Sequence, residues 1–91
     1  MNIDQLYDVI CDRLAHPEPG SYTVSLAEKG EDEIAKKVGE EAVEVILAAK
    51  GQGRQRIVEE VADLTYHVLV LLAANRISPQ EVRRELARRH Q

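Results

Sequence analysis

The sequence predicts an all-α fold, and three observations support this class. Aliphatic side chains supply almost all of the 44% hydrophobic content, while aromatic residues make up only 3%, with neither Trp nor Phe. Apolar residues recur at the three- and four-residue spacing that is typical of amphipathic helices. Segments rich in Gly or Pro interrupt this pattern at 16–21, 30 and 51–53, where helices are expected to end. With 91 residues, the chain is expected to form a single domain, residues 1–91.

The first predicted helix covers residues 3–14 and carries one apolar stripe made of Ile3, Leu6, Tyr7, Ile10 and Leu14. The Pro-rich stretch HPEPGS at 16–21 ends this helix. After it, Tyr22, Val24 and Leu26 form either one face of a short strand or part of a single helical turn. The local pattern suits both, so these two alternatives stay open at this point.

Two longer helices are predicted in the centre of the chain. Gly30 precedes the first of them, and either Glu31 or Asp32 is expected to cap it. This helix covers residues 31–49, with a core stripe of Ile34, Val38, Ala42, Val45, Ile46 and Ala49. The segment GQG at 51–53 ends it, and the second long helix covers residues 54–74. A last helix begins at the capping box SPQE, 78–81, and continues through Val82 and Leu86.

The helix at 54–74 carries apolar residues on so much of its circumference that we expect it to be buried on more than one side. A short chain buries a smaller fraction of its surface than a longer one, so one copy has little means of covering this helix. The surface in question consists of Val61, Leu64, Val68, Leu71 and Leu72. The sequence therefore predicts a homodimer.

The charge balance argues against nucleic acid as a partner. Lys and Arg number 12 against 16 Asp and Glu, which gives a formal net charge of −4, whereas nucleic-acid-binding domains are usually basic. The apolar run at 68–74 is too short to span a bilayer, and the first residues, MNIDQLYD, lack the basic and apolar regions of a signal peptide. We therefore expect a cytoplasmic protein whose partners include neither nucleic acid nor membrane.

Two pairs of carboxylates, one on each long helix, indicate where the chemistry lies. Glu41 and Glu44 in GEEAVE are three residues apart and share a helix face, and Glu60 and Asp63 in EEVAD do the same. Helices joined by a short Gly-containing connection tend to pack antiparallel, which brings the four carboxylates together. Such a group needs protons or a metal ion, and oxygen ligands suit Mg²⁺. Lys37, one turn before Glu41, lies on the same stripe and is placed to meet a phosphate oxygen.

Two other interpretations of these polar residues carry less weight. A single E-x-x-E pair is commonly a solvated helix face, but two pairs on helices that are otherwise apolar are harder to explain by solvation. Di-iron and di-manganese bundles use Glu-x-x-His pairs, and this sequence has none, because Asp63 and His67 are four residues apart. We interpret His67 as a hydrogen-bonded partner beside the site, with metal ligation as the minority alternative.

These motifs resemble a known family. E-x-x-E at 41–44, then 15 residues, then E-x-x-D at 60–63 is similar to the all-α nucleoside triphosphate pyrophosphohydrolases, often called MazG-like. More closely, SYT at 21–23, KKVGEEAVE at 36–44 and EEVADLTYH at 59–67 resemble the phosphoribosyl-ATP pyrophosphohydrolases of histidine biosynthesis. The resemblance implies a MazG-like four-helix bundle completed by homodimerisation. It also implies Mg²⁺-dependent hydrolysis of phosphoribosyl-ATP to phosphoribosyl-AMP and pyrophosphate.

The resemblance also implies roles for individual residues. The metal-binding acids of the family correspond to Glu41, Glu44, Glu60 and Asp63, and Lys37 falls where a phosphate-facing lysine is expected. Either Glu40 or Glu41 is the candidate to orient or deprotonate the attacking water. The second phosphate of the substrate lies far from the triphosphate, and we expect the hydroxyl and backbone N–H groups at 21–23, Ser21, Tyr22 and Thr23, to bind it.

Two positions depart from the pattern of similar proteins, which often carry Lys or Arg where this chain has Ser25 and Glu33. Either those charges are dispensable or another basic group, such as Lys36 or Arg54, replaces them. Two alternative functions also remain: a house-cleaning hydrolase of ordinary or damaged nucleoside triphosphates, and a helical dimerisation module without enzymatic activity. The first shares the four acids but is not expected to combine them with the SYT and YH features. The second predicts no effect of divalent metal on stability.

Overall fold

The computed structural model describes all 91 residues, which form five α-helices and no strand. The helices are α1 (Ile3–Ala15), α2 (Tyr22–Glu28), α3 (Glu31–Ala49), α4 (Arg54–Ala74) and α5 (Pro79–Arg89). The predicted all-α class is confirmed, and the bounds of both long helices agree with the sequence prediction. At 22–28, where the sequence left a strand and a helical turn open, the chain forms the short helix α2.

The helix ends follow from local side-chain and backbone chemistry. Ser78 accepts the backbone N–H of Glu81, whose side chain accepts the N–H of Ser78, so the predicted capping box at α5 is confirmed. The expectation that Glu31 or Asp32 caps α3 is wrong, because both lie inside the first turn and Gly30 is the capping residue. Gly30 has a φ of 96°, a conformation that glycine adopts without strain. The two acids instead interact favourably with the helix dipole.

The core lies between α1, α2, α3 and α4. Five side chains from these helices form one buried cluster: Ile10, Leu26, Ile34, Leu69 and Val70. The main helix pair is α3 and α4, which are joined by the short turn at 50–53 and pack as a hairpin. The acidic stretches of both helices therefore lie at the same level of the hairpin.

An apolar face of the α3–α4 hairpin remains uncovered in the single chain. Its exposed side chains are Val43, Ile46, Leu47, Val58 and Val61, with Ile46 and Val58 each 57% exposed. Among the residues from which the sequence predicted a dimer, Val61 is exposed while Leu64, Val68, Leu71 and Leu72 are half-buried. The uncovered face thus includes more of α3 than the sequence indicated. No helix of this protein combines the length and apolarity that a membrane crossing requires.

Helix α5 is attached to α1 through polar contacts. The hydroxyl of Tyr7 donates to the carbonyl oxygen of Ile77 at 2.6 Å, and Arg83 lies 2.7 Å from a carboxylate oxygen of Asp4. Burial, with a further contribution from the Cys11 thiol, raises the pKa of Tyr7 to about 12. Tyr7 is therefore neutral at physiological pH and able to donate this hydrogen bond.

The raised pKa of Tyr7 predicts a loss of stability at high pH. The pKa of a tyrosine in the unfolded chain is about 10. The contribution of Tyr7 to the free energy of unfolding is therefore complete below that pH and is lost as the pH rises through about 12. We expect Tyr7→Phe to remove this part of the decline and to leave the part due to other groups. Urea titrations of both proteins at about pH 8 and about pH 11 measure it. An equal decline in the two proteins would contradict the assignment.

Candidate active site

Three carboxylates from the two long helices form one group, which we call the acid group: Glu41, Glu60 and Asp63. One oxygen of each lies within 4.8 Å of the others. The group forms because Glu60 and Asp63 share a face of α4 and the hairpin brings Glu41 of α3 opposite them. Glu60 is only 6% exposed, which is rare for a carboxylate unless it is paired.

Two cations neutralise part of the acid group. Lys37 lies 3.5 Å from a carboxylate oxygen of Glu41 and 4.0 Å from one of Glu40, and Arg56 pairs with Glu60 and with the neighbouring Glu59. Burial alone lowers the pKa of Lys37, but Tyr22, Glu40 and Glu41 together outweigh it and raise that pKa above its ordinary value. Lys37 is therefore charged at neutral pH. The carboxylates in the first turns of the apolar helix α4 are thus stabilised by ion pairs with Arg56, and two of them lie in a group with Glu41.

The donor atoms of the acid group fit Mg²⁺. All of them are carboxylate oxygens, the ligand type that this ion prefers. Arg56 donates its hydrogen bond to the Oε1 atom of Glu60 and not to Oε2. Glu44, the fourth predicted ligand, is exposed one turn further along α3 and does not belong to the acid group.

His67 lies next to the acid group without being part of it. Its Nδ1 atom is 2.7 Å from the carbonyl oxygen of Asp63, so Nδ1 carries the proton and donates it. In the neutral ring, Nε2 then accepts a hydrogen bond from the hydroxyl of Tyr22 at 2.9 Å. The prediction that His67 is a hydrogen-bonded partner is confirmed.

The segment at 21–23 packs against α4 in a way that the sequence did not reveal. Ser21 caps α2, with its Oγ atom 3.4 Å from the N–H of Val24. Thr23 is 1% exposed and its hydroxyl bonds to that of Tyr66. The expected contact between the Thr23 hydroxyl and substrate is therefore not available in this structure, because the hydroxyl faces the core. Tyr22 is 50% exposed, and burial of its hydroxyl raises the pKa of that group.

Sequence reasoning missed Arg56 and the link between α2 and α4. The four-residue spacing from Arg56 to Glu60 was a usable signal, since side chains at that spacing on a helix contact each other. The link consists of bonds from two consecutive residues of α2, Tyr22 and Thr23, to two consecutive residues of α4, His67 and Tyr66. Nothing in the local sequence identifies such pairs across a gap of more than forty residues.

Comparison with known proteins points to one family. The family model described as phosphoribosyl-ATP pyrophosphohydrolase matches residues 3–90. A protein of Sulfurisphaera tokodaii named phosphoribosyl-ATP pyrophosphatase is 53% identical over 87 residues, which is 96% of this chain and 93% of that protein. Proteins of the same name from Metallosphaera sedula and Pelotomaculum thermopropionicum are 55% and 54% identical, over 96% and 98% of this chain and 94% and 91% of their own lengths.

Proposed function

This chain belongs to the phosphoribosyl-ATP pyrophosphohydrolase family, and we propose that it hydrolyses phosphoribosyl-ATP to phosphoribosyl-AMP and pyrophosphate. This reaction is the second step of histidine biosynthesis, and the proposed location is the cytoplasm, as expected for an enzyme of amino-acid biosynthesis. The acid group, three carboxylates of two helices held together beside a lysine, is the observation that carries the hydrolytic part of the proposal. The burial of Glu60, at 6% exposure, distinguishes the acid group from a solvated helix face. The match of the family model to residues 3–90 supports the choice of substrate.

The proposed cofactor is Mg²⁺. Glu41, Glu60 and Asp63 would hold the ion, with Glu44 as the fourth ligand once its exposed side chain turns toward the group. A bound Mg²⁺ would offset the negative charge of the triphosphate and make a coordinated water more acidic. Without a cation, an acidic site and a polyanionic substrate would repel each other.

Each polar side chain around the acid group then has a proposed task. Lys37, which is only partly exposed, donates to a phosphate oxygen of the substrate and at the same time holds Glu41 in place. Arg56 holds the buried carboxylate of Glu60 in place through their ion pair. Glu40 is half-exposed, lies outside the acid group and is paired only with Lys36 and Lys37. It is therefore the first candidate for the base that orients or deprotonates the attacking water, and Glu41 is the second.

The reaction balances with water as the only other reactant. Water attacks the α or the β phosphorus, and the bridging P–O bond between these two groups breaks. The proton of the water passes to the base, and the released oxygen leaves on either the pyrophosphate or the nucleotide, according to which phosphorus is attacked.

Recognition of the second phosphate is proposed for the segment at 21–23. This segment is tied to α4 next to the acid group through Tyr22 and His67, so a ligand can contact both regions. Ser21 is only partly buried at the start of α2, and its hydroxyl and backbone are the proposed contacts. Thr23 supports them through its bond to Tyr66 rather than by touching substrate.

The proposed assembly is a homodimer in which α3 and α4 of two copies form a MazG-like four-helix bundle. The uncovered face of the hairpin supports this arrangement, because its five exposed aliphatic side chains are unusual at the surface of a small monomer. Burial of such a face is the term that most often drives association.

Two measurements separate this function from a module without activity. Pyrophosphate release from phosphoribosyl-ATP with Mg²⁺ present, and its loss after chelation, tests the reaction itself. A thermal melt with and without Mg²⁺ tests the metal site alone, because an ion that binds only the folded protein raises the melting temperature. A dimerisation module predicts no turnover and no shift.

A further inference from the structure

We propose that the exposed face of the Tyr22 ring is the surface on which the adenine ring of the substrate stacks. This inference rests on the proposed function, since only a nucleotide substrate brings a base to the site. It gives Tyr22 a task different from hydrogen bonding to a phosphate, because its hydroxyl is already bonded to His67.

Tyr22 is the only exposed tyrosine of this chain. The chain has three tyrosines and neither Trp nor Phe. Tyr7 and Tyr66 pack against the buried cluster, and their hydroxyls bond to Ile77 and Thr23. Tyr22 is 50% exposed. Among the tyrosines of one protomer, Tyr22 is therefore the one on which a base can stack.

The position of the ring matches the position of the base within the substrate. At one end, Tyr22 follows Ser21, the residue proposed to meet the second phosphate. At the other end, its hydroxyl bonds to His67, which in turn bonds to the backbone of Asp63 in the acid group. The adenine of phosphoribosyl-ATP likewise lies between the ribose that carries the triphosphate and the ribose that carries the second phosphate.

The ring is also held in one orientation before substrate arrives. Its centroid is 5.7 Å from that of His67, at an interplanar angle of 80°, and 6.1 Å from that of Tyr66. His67 is itself buried, at 6% exposure, and fixed at both ring nitrogens. A preorganised ring loses little conformational freedom on binding, so more of the stacking energy appears as affinity.

A different role would be purely structural, with Tyr22 attaching α2 to α4 through its hydroxyl alone. The two roles predict different rankings of the Tyr22 variants by their loss of ligand affinity. Tyr22→Phe removes the hydroxyl and keeps the ring, whereas Tyr22→Leu removes the ring and keeps apolar bulk. If the ring stacks on the base, Tyr22→Leu is the more harmful change, and its effect is confined to ligands that carry a base.

The experiment compares wild type, Tyr22→Phe, Tyr22→Leu and a control, Tyr7→Phe, which alters a tyrosine whose hydroxyl bonds to Ile77 instead of to a residue of the site. In each, the inhibition constants of phosphoribosyl-AMP and of pyrophosphate are measured against phosphoribosyl-ATP with Mg²⁺. We expect Tyr22→Leu to raise the inhibition constant of phosphoribosyl-AMP by roughly tenfold to a hundredfold, the range found for base stacking on an aromatic side chain. The inhibition constant of pyrophosphate should change less than about twofold. Tyr22→Phe loses the bond to His67 but keeps the ring, so it should raise the inhibition constant of phosphoribosyl-AMP clearly less than Tyr22→Leu does, and the Tyr7→Phe control should match wild type.

An equal loss for both ligands, or equal damage from Tyr22→Phe and Tyr22→Leu, would overturn the stacking role in favour of the structural one. Wild-type protein that does not hydrolyse phosphoribosyl-ATP would instead overturn the proposed function, and the stacking role with it. If Tyr22→Leu does not fold, wild-type protein still decides. Nuclear Overhauser contacts between the adenine protons of bound phosphoribosyl-AMP and the Tyr22 ring are expected, and their absence would refute the proposal.

Discussion

Glu60→Gln is expected to lower kcat/KM for phosphoribosyl-ATP by roughly a hundredfold or more, because losing a group that only hydrogen-bonds to a metal ligand already costs about 10- to 100-fold. The amide keeps the shape of the side chain and removes the charge that Mg²⁺ requires. Glu41→Gln and Asp63→Asn remove the other two charges of the acid group and are expected to have the same effect. Steady-state kinetics with Mg²⁺ in excess measures all three.

The matched control for this series is Glu59→Gln. Glu59 precedes Glu60 on α4 and pairs with the same Arg56, yet it lies outside the acid group. We expect the control to keep nearly full activity and the wild-type rise in melting temperature with Mg²⁺, whereas the three acid-group variants lose both. Full activity in any two of the acid-group variants would contradict the assigned metal site.

The same variants test the energetics of the protein without metal. Neutralising Glu41 or Glu60 removes repulsion between carboxylates and also removes an ion pair, with Lys37 or with Arg56. These two effects oppose each other, so we expect the metal-free melting temperature to change little. Glu44→Gln is expected to reduce activity less than the other three substitutions, since Glu44 lies outside the acid group and has to move toward it.

Ile46→Glu is expected to convert the protein from a dimer to a monomer. Ile46 is 57% exposed on the uncovered hairpin face, so the change leaves the core of one protomer intact. In a dimer it would bury a carboxylate without a partner, which is strongly unfavourable. Sedimentation velocity at micromolar concentration measures the change, with Gln80→Glu as a control that adds the same charge on the exposed side of α5. Wild-type protein that sediments as an active monomer would contradict the proposed assembly.

The fold could be predicted in most of its parts because the long helices carry their own signals. Apolar periodicity located α1, α3 and α4, and the Ser-Pro-x-Glu capping box located the start of α5. At α2 the sequence was ambiguous, since Tyr22, Val24 and Leu26 alternate like a strand. Tertiary contacts favour the helix, because the hydroxyls of Tyr22 and Thr23 both bond to α4, whereas consecutive side chains of a strand point to opposite faces.

The candidate site could be predicted where it depends on helix geometry and not where it depends on packing. The spacing of Glu60 and Asp63, together with the hairpin, was enough to place the acid group. Whether Glu44 joins the acid group depends on how α3 is rotated about its own axis. Contacts across the whole core determine that rotation. The local sequence likewise does not predict the burial of the Thr23 hydroxyl, since a threonine on an amphipathic helix can face the solvent or the core.

The central claim is that this site hydrolyses phosphoribosyl-ATP rather than nucleoside triphosphates in general. The acid group and Mg²⁺ can bind any triphosphate, so discrimination must come from Ser21, Tyr22 and the groups around them. Polar groups that bind a second phosphate are left unpaired when a substrate lacks it. The resulting loss of kcat/KM can reach roughly 10⁴- to 10⁵-fold. The most direct test is kcat/KM for phosphoribosyl-ATP, ATP and dUTP, measured side by side with Mg²⁺. We predict that phosphoribosyl-ATP is hydrolysed orders of magnitude more efficiently than the other two. Comparable values for all three, or a preference for dUTP, would contradict the account and indicate a house-cleaning hydrolase.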